Sequence, residues 1–527
     1  MTNLNEFVSY VKVLCTSCLD PSPAVNSLST AFLVEIYCLY WMHSEWPSQY
    51  CHPHAEPKTG RDTRSGILQH LWETAGASDK LATSGLLHTE SGEFWERFLI
   101  VGMPTGWHFI LLAVLIFAAY MPAVNNGFIS DDFIMLNWVE QWKGDITFLF
   151  RIFPDVFRIT VYVVFRSLLA LFGFHSEYFY TFAILIHLLN SILLYYLAKE
   201  ATGSRELAFM SGALFAVYQN PQEAIMWLAA MADALAALFV LATLLLWGKE
   251  LYLWAAACYI AGLFSKESAA AVLLLLPCLE LFRIRRLTWR WQYLYLLVPT
   301  AAYLLLFAVT ASDNYLLING SYRFGLRGFA VLVVSAHRVM FPWFYLALIT
   351  FLIVRKGRVP AETVAGVAWL VLTILPFIFL TYQLHLPSRH QYIASIGLAW
   401  AVASLLRQLG RPALVRAFVA LFIVVNITYL WLKKDPQFEK RAAPTTQLMT
   451  EVRRHPAGSI YLIDFPLNPW MARMAVTMTG SRSEDLRFNA PPEPCADCLV
   501  LQWESRTGRY RVKIAPDLAA LSVGAIP

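Results

Sequence analysis

The chain has 527 residues, of which 58% are hydrophobic and only 15% are charged, and its net charge is +5. Its mean hydropathy is +0.51, whereas a soluble domain carries roughly 25% charged residues. This composition excludes an ordinary soluble protein, and nucleic acid is not an expected partner. Apolar runs recur between Trp107 and Trp431, many of them near the ~20 residues that cross a bilayer. We therefore predict an all-α polytopic membrane protein.

The first 102 residues differ from the rest, because they are polar and are broken by Pro, Ser and Gly. We treat residues 1–102 as an irregular N-terminal region, either cytoplasmic or not part of the native start, since Met103 directly precedes the first strong apolar run. Four residues of this region have the spacing of zinc ligands: Cys15-x-x-Cys18 and Cys51-x-x-His54. Such a short pattern favours scattered thiols instead, so no metal site is predicted.

Residues 103–432 are predicted to form a transmembrane domain with about eleven spanning helices. In chain order, the predicted spans are Trp107–Val124, Tyr178–Leu197, Leu207–Tyr218, Glu223–Trp247, Leu251–Phe264, Ser268–Phe282, Trp291–Thr310, Arg338–Val354, Glu362–Tyr382, Tyr392–Leu406 and Ala413–Trp431. With a cytoplasmic N-terminus, loops rich in Lys and Arg fall on the inner side, as the positive-inside rule requires. An odd number of spans then places the C-terminal tail on the extracytoplasmic side.

The first outer loop, residues 125–177, contains one ambiguous apolar segment, Val156–Phe172. Arg158, Tyr162 and Arg166 recur in it at every fourth residue and share one side of a helix. If this segment were a span, every later loop would change sides and the charge pattern would break. We therefore predict a helix that lies in the outer interface.

Two adjacent aspartates, Asp131 and Asp132, follow the first span in this outer loop. A pair of carboxylates at a membrane surface repels itself and is costly to desolvate. One interpretation is that an aspartate is the general base for a hydroxyl, with or without help from a metal. The other is that the pair stabilises the N-terminus of a following helix, Phe133–Trp142. Both roles are compatible, and the position after the first span favours the catalytic one.

Further charged residues lie at the predicted outer boundaries of later spans. Lys266 and Glu267 stand between two apolar helices, where the lysine could bind a lipid-linked phosphate or could pair with its neighbour. Arg389, His390 and Tyr392 precede a later span. An arginine there suits phosphate geometry, although Arg and Tyr also anchor helices at the interface.

Three more residues complete the set of candidates. Arg158, like Arg389, could bind a phosphate or could anchor its helix at the interface. Glu223 and Asp233 flank or enter an apolar span, and acids inside a membrane are functional candidates by default. The chain shows no Walker loop, dinucleotide-binding fingerprint, or zinc-protease or serine-hydrolase motif, so soluble nucleotide chemistry is not expected.

Residues 433–527 are predicted to form a small extracytoplasmic α/β domain. Its predicted strands are Ser459–Asp464, Cys498–Trp503 and Gly508–Ile514. Cys495 and Cys498 form a C-x-x-C motif, which outside the membrane favours a short-loop disulfide. A redox role is the weaker interpretation, because nothing around the motif is typical of a thioredoxin-type element.

The order of these segments resembles the GT-C superfamily of membrane glycosyltransferases. The similarity is greatest to the branch that contains protein O-mannosyltransferases, the tetratricopeptide-bearing O-mannosyltransferases and their bacterial relatives, and it covers most of residues 107–407. The segments that carry it are Phe128–Asp132, Phe157–Phe174, His187–Asn190, Leu214–Glu223, Phe264–Ser268 and Ser388–Tyr392. The chain departs from the family pattern at Asn220, Met231 and Ser388, and no tetratricopeptide repeats follow.

The resemblance implies inverting transfer of a sugar from a polyprenyl-phosphate donor in the bacterial inner membrane, with Asp131 or Asp132 as the base. Arg158, Lys266 and Arg389 are the candidates that would bind the donor phosphate. Secondary candidates are Glu267, His390, Tyr392, Glu223 and Asp233. The acceptor would be a lipid, a glycan or a protein. No cofactor is required, because the leaving group is a lipid phosphate, although a divalent cation is compatible with the site.

Two other functions remain open. A transporter or flippase of lipid-linked glycans would also need charges beside a lipid cleft, but it predicts inverted repeats, and the sequence has no clear internal repeat. A non-catalytic membrane scaffold would not need charged groups concentrated on one side. Substituting Asn for both Asp131 and Asp132 distinguishes these functions, because only an enzyme should lose transfer.

Overall fold

The computed structural model describes residues 104–142, 157–284, 290–309, 318, 325–355, 357–380, 385–489 and 497–514. The predicted N-terminal region with its cysteine motif lies outside these residues. The described chain is mostly helical and ends in a small sheet. Its longer helices are α1 (Thr105–Tyr120), α2 (Asp131–Gln141), α3 (Ile159–Phe172), α4 (Ser176–Thr202), α5 (Arg205–Val217), α6 (Met231–Gly248), α7 (Tyr252–Leu263), α8 (Val272–Ile284), α9 (Leu294–Val309), α10 (Arg327–Met340), α11 (Trp343–Arg355), α12 (Ala361–Ile374), α13 (Tyr392–Arg407), α14 (Pro412–Tyr429), α15 (Asp435–Arg454) and α16 (Pro469–Thr477).

Five described helical segments are long and apolar enough to cross a membrane. They are Thr105–Asn125, Ser176–Thr202, Leu228–Gly248, Trp291–Val309 and Pro412–Arg454. Helices α10 and α11, which are bent by 69° at their junction, count as a sixth span if they are taken together. The prediction of about eleven spans is therefore not confirmed, although the described chain is mostly helical and contains helices that could cross a membrane.

Hydropathy detects apolar runs but not the points where a helix ends, so several predicted spans differ from the structure. The predicted span Glu223–Trp247 is kept only in part, as Leu228–Gly248, because a separate short turn, Glu223–Met226, precedes it. Helix α5 ends at Val217, shortly before Pro221, and a proline disfavours helical backbone in the residue before it. Several other predicted spans form helices shorter than a typical crossing, α7 among them.

Helices α12 and α13 cross closely in the centre of the bundle. A Cβ atom on Gly366 would lie 2.6 Å from the carbonyl oxygen of Gly397, so only glycine fits at this crossing. Thr363 also donates a hydrogen bond to Ser404 across the pair, at 3.0 Å between their oxygens. Because the described residues of α13 are buried almost throughout, the turn that precedes it, Ser388–Gln391, is held in a fixed position.

The C-terminal part forms a four-stranded sheet in the order β2 (Leu486–Arg487), β1 (Ser459–Ile463), β3 (Cys498–Glu504) and β4 (Arg509–Ile514). Strand β1 pairs in parallel with β2 and β3, and β3 pairs antiparallel with β4. The three predicted strands are confirmed, and the two-residue strand β2 was not predicted. Cys498 is disulfide-bonded, while Cys495 lies outside the described residues.

The predicted boundary between membrane domain and tail, at residues 432–433, falls inside one continuous helical segment, Pro412–Arg454. Its distal part, α15, packs against the sheet, because Tyr510 donates to the carbonyl oxygen of Pro444 at 3.0 Å. The same helix touches the loop after α1, where Thr445 donates to the carbonyl oxygen of Phe128 at 3.3 Å. Helix α15 thus connects the sheet to the loop that carries the aspartate pair.

Candidate functional site

The two adjacent aspartates have opposite surroundings. Asp132 is fully buried, and its carboxylate accepts hydrogen bonds from the backbone N–H of Ile129 at 2.8 Å and of Ala229 at 2.6 Å. Asp131 is exposed at the first position of α2. The preceding residue, Ser130, has a φ of 45°, a strained value for a residue other than glycine. Asp132 therefore anchors the loop to the segment after Trp227, and Asp131 is the carboxylate that a substrate can reach.

Burial also changes the acidity of Asp132. Desolvation raises the pKa of Asp132 to about 8, although the hydrogen bonds from Ile129 and Ala229 act in the opposite direction. The charge of Asp131 raises this pKa further, and Arg441 lowers it. Both oxygens of Asp132 are therefore engaged in the fold, whereas the carboxylate of Asp131 is exposed.

The turn between α5 and α6 brings the second group of candidates to this loop. Trp227 donates its indole N–H to the carbonyl oxygen of Ile129 at 3.3 Å. The guanidinium carbon of Arg389 lies 4.9 Å from the centre of the Trp227 ring. Arg389 also faces Glu223, with 3.5 Å between Nη1 and Oε2, and its backbone N–H donates to the same oxygen at 3.3 Å. The predicted residues Glu223 and Arg389 are thus direct partners.

A buried network, formed by Asp233, Lys266 and His390, lies further inside. The ammonium of Lys266 is 2.5 Å from Oδ2 of Asp233 and 3.0 Å from Nδ1 of His390. The side chains of Lys266 and Asp233 are only 2% and 3% exposed. Phe377 covers the network, stacked 4.6 Å from the His390 ring. Burial, followed by the charge of Lys266, lowers the pKa of His390 to about 3. A neutral His390 can therefore accept the Lys266 hydrogen bond at Nδ1.

Arg158 differs from the other buried cations in having no hydrogen-bond partner for its Nε among the described residues. It directly precedes α3, and Thr160 fixes that helix by hydrogen bonds to Phe264 and Ala261, at 3.1 Å and 2.9 Å. Burial disfavours the charge of Arg158, and Glu267 offsets this effect electrostatically. A buried N–H donor without an acceptor is costly, so the Nε of Arg158 is suited to an anionic ligand.

The remaining predicted residues take supporting positions. Tyr392 is fully buried, and its hydroxyl contacts Nδ1 of His187 at 2.6 Å and accepts from Asn190 at 3.0 Å. Its polar atom is therefore engaged within the helical bundle. Glu267 begins a short turn after Lys266 and is half-buried near Arg158. Its carboxylate is the largest electrostatic influence that supports the charge of Arg158.

Sequence reasoning missed two residues of this site, Trp227 and Arg441. Trp227 lies in an apolar run that was predicted to be one continuous span, where an aromatic residue does not indicate a functional site. Arg441 belongs to α15, which was assigned to a separate tail domain, yet its guanidinium carbon lies 4.9 Å from the Trp227 ring. Within the described parts of the chain, no group of three or more His, Cys, Asp or Glu side chains could hold a metal ion.

No protein-family model matches this sequence, and no curated protein matches it significantly. The resemblance to the GT-C superfamily therefore depends on short segments and their order. In the structure, residues of four of these segments approach one another: His187 and Tyr392 form one contact, and Arg389 and Glu223 form another. Lys266 and His390 form a third.

Proposed function

We propose that the chain is a membrane glycosyltransferase of the GT-C type, which moves a sugar from a polyprenyl-phosphate donor to an acceptor hydroxyl with inversion. One observation carries this proposal: the Nε of the half-buried Arg158 is itself buried and has no acceptor among the described residues. Arg158 shares its surroundings with the Asp233–Lys266 ion pair. An arginine N–H without an acceptor beside a closed ion pair is suited to a phosphate, which forms strong, charge-assisted hydrogen bonds with arginine.

The donor phosphate would bind to Arg158, with Lys266 as the neighbouring cation. Lys266 has three N–H donors, of which Asp233 and His390 engage two. Arg389, the third predicted cation, lies against Trp227 and Glu223 instead. Arg158 and Lys266 therefore retain hydrogen-bonding capacity that an incoming phosphate would use.

In the proposed reaction, Asp131 accepts the proton of the acceptor hydroxyl. The oxygen forms a bond to the anomeric carbon on the face opposite the phosphate, and the bond between that carbon and the phosphate oxygen breaks. Polyprenyl phosphate departs with the electron pair, and the cations around Arg158 stabilise its growing charge. No cofactor is needed for this step, because phosphate is already a good leaving group, and a divalent cation remains compatible with it.

We place the site on the extracytoplasmic face of the bacterial inner membrane, with a cytoplasmic N-terminus. Support comes from the contacts among loops that hydropathy assigns to one side: the aspartate loop, the turn at Glu223 and the turn at Arg389. Exposed apolar side chains of α1 and α9, such as Trp107 and Leu305, face outward as lipid-facing residues do. The acceptor is a lipid, a glycan or a protein with a free hydroxyl.

The test is a transfer assay with the full chain in nanodiscs, radiolabelled polyprenyl-phosphate hexoses or pentoses, and membrane extracts as acceptors. We expect Asp131→Asn to lower the transfer rate by about 10²- to 10⁴-fold, the usual contribution of a general base. Binding of the donor should be unchanged. Glu140→Gln is the matched control, because Glu140 is an exposed acid at the other end of the same helix. Transfer that survives in Asp131→Asn would contradict the assignment of the base.

A transporter of lipid-linked glycans is the second candidate, and one observation favours it: a buried ion pair, Asp233–Lys266, lies where a spanning segment is broken. Discontinuous helices with buried charges occur at transporter sites. The same nanodisc preparation, reconstituted into vesicles, would distinguish the functions. Movement of a labelled lipid between leaflets without any sugar transfer would favour transport over catalysis.

A further inference from the structure

Trp227 lies beneath two guanidinium groups that come from distant parts of the chain. The guanidinium carbons of Arg389 and Arg441 are each 4.9 Å from the centre of its ring. Arg441 also lies 5.5 Å from the centre of the Phe438 ring, within its own helix α15. Aromatic rings attract guanidinium groups over their faces. Arg441 is thus held in place by two rings, whereas an ordinary surface arginine extends into water.

Most N–H donors of both guanidinium groups have no acceptor among the described residues. Arg441 makes no ion pair or hydrogen bond to any residue in the described parts of the chain, apart from its contacts with the two rings. Arg389 has one ion pair, to Glu223 at 3.5 Å. Two guanidinium groups over one indole repel each other, although Glu223 pairs with Arg389 and Arg441 acts electrostatically on Asp132. Both guanidinium groups retain free N–H donors that a further anion would accept.

The position of this cluster separates it from the donor site. Trp227 is bonded to Ile129, two residues before Asp131, and the charge of Arg441 acts on Asp132. Asp233, which marks the inner network, follows Trp227 by one short turn and the start of α6. Helical rises place it about 10 Å along the chain from Trp227. An anion at Trp227 would therefore lie beside the aspartate pair.

We propose that Arg389, Trp227 and Arg441 form a binding site for an oxyanion, phosphate or carboxylate, carried by the acceptor. Binding there would orient the acceptor so that a hydroxyl near its anionic group reaches Asp131. This inference rests on the proposed function, because the chain has an acceptor only if it is a glycosyltransferase. It adds to the membrane domain a specificity residue, Arg441, from the C-terminal helix. The acceptor is accordingly an acidic lipid or glycan.

The first experiment measures equilibrium binding of four probes to the full chain in neutral nanodiscs. Hexyl phosphate and hexanoate carry the two oxyanions, hexyl glucoside is the neutral amphiphile, and inorganic phosphate lacks the lipid chain. We expect both anionic amphiphiles to bind more tightly than the glucoside, and Arg441→Gln to weaken them about tenfold, as loss of a charge-assisted contact predicts. Arg453→Gln, an exposed arginine on the same helix, should leave binding unchanged.

The outcomes decide the inference and its ligand. Equal binding of hexyl phosphate to the wild type and Arg441→Gln would overturn it, as would equal binding of hexyl glucoside and hexyl phosphate to the wild type. If inorganic phosphate binds with the same dependence on Arg441, the anion alone is recognised and the acceptor can be a soluble glycan. If only the amphiphiles show that dependence, the acceptor is an acidic lipid.

The second experiment tests the assignment to the acceptor. Hexyl phosphate should inhibit transfer by competing with the acceptor and not with the polyprenyl-phosphate donor, and Arg441→Gln should abolish that inhibition. Competition with the donor alone would contradict the assignment. Absence of transfer from every donor, together with Arg441-dependent binding of hexyl phosphate, would refute the proposed glycosyltransferase while leaving the oxyanion site in place. The two failures are thus distinguishable.

Discussion

The inner network consists of Asp233, Lys266 and His390, and Asp131 and Arg441 form what we call the outer rim of the site. Both contain acidic and basic side chains, but these side chains differ in their hydrogen bonds and ion pairs. Inside, Asp233, Lys266 and His390 are buried and bonded to one another. At the rim, Asp131 and Arg441 are exposed, and Arg441 contacts only aromatic rings among the described residues. Satisfied buried charges fix geometry, whereas unsatisfied exposed charges are available to a ligand. From this comparison we propose that the rim binds ligand, and that the inner network holds Lys266 in position beside the proposed phosphate site.

The largest expected effect comes from breaking the inner network. Lys266→Met would leave the carboxylate of Asp233 buried without its cation, which destabilises a protein by about 3–5 kcal/mol. Because the pair is only 2% and 3% exposed, solvent offers little compensation. Thermal unfolding in detergent or nanodiscs, followed by circular dichroism, should show a large fall in the midpoint temperature.

The double variant Lys266→Met/Asp233→Leu is the control for this prediction. It removes both charges, so it should recover much of the lost stability, as replacement of buried ion pairs by apolar residues often does. If the single and double variants were equally unstable, the loss would come from packing and not from an unpaired carboxylate. The inner network would then not depend on its charges.

Arg158 sharpens the comparison, because it is half-buried and its buried Nε has no hydrogen-bond partner among the described residues. Arg158→Met should therefore leave the free energy of unfolding unchanged or raise it by about 1 kcal/mol, since it removes an incompletely satisfied buried charge. Donor binding should weaken about tenfold, as for a lost charge-assisted contact. Thermal unfolding and titration with a polyprenyl-phosphate sugar measure the two effects.

A fall in stability as large as that of Lys266→Met would contradict this interpretation. It would mean that Arg158 belongs to the inner network through Glu267 or Asp233, and that its charge is already balanced without a ligand. Unchanged donor binding would remove Arg158 from the proposed phosphate site.

Local sequence patterns predicted the chemistry of this site better than its geometry. The helix after the aspartate pair was predicted as Phe133–Trp142 and is Asp131–Gln141, because acids favour the first turn of a helix. The distinction between Asp131 and Asp132 was not predictable. It depends on the backbone N–H of Ala229, which lies 97 residues further along the chain.

Longer-range features were missed for the same physical reason. Hydropathy gives the apolar character of a segment but not the break at Trp227, which lets an indole reach Ile129. Arg441 was missed because the membrane domain was predicted to end at residue 432. The chain changes there from apolar to polar residues, but the helix continues. The strands of the tail were predictable, since their apolar runs are short and bounded by turn residues.

The smallest expected effect concerns pH and tests the difference between the two aspartates. The pKa of Asp132 is raised to about 8 from a value near 3.8 in the unfolded chain. The folded state therefore holds this proton more tightly, so the stabilisation is fully present below pH 3.8 and is lost as pH rises through about 8. Asp132→Asn, which stays neutral, lacks this dependence. The stability of the wild type relative to the variant should thus fall between pH 5 and pH 9, by at most about 1.4 kcal/mol per pH unit.

Midpoint temperatures at several pH values measure this fall in stability, with Asp131→Asn as the control for a neighbouring exposed acid. A difference that grows as pH rises would mean that Asp132 is ionised in the fold and that the two backbone N–H groups outweigh its desolvation.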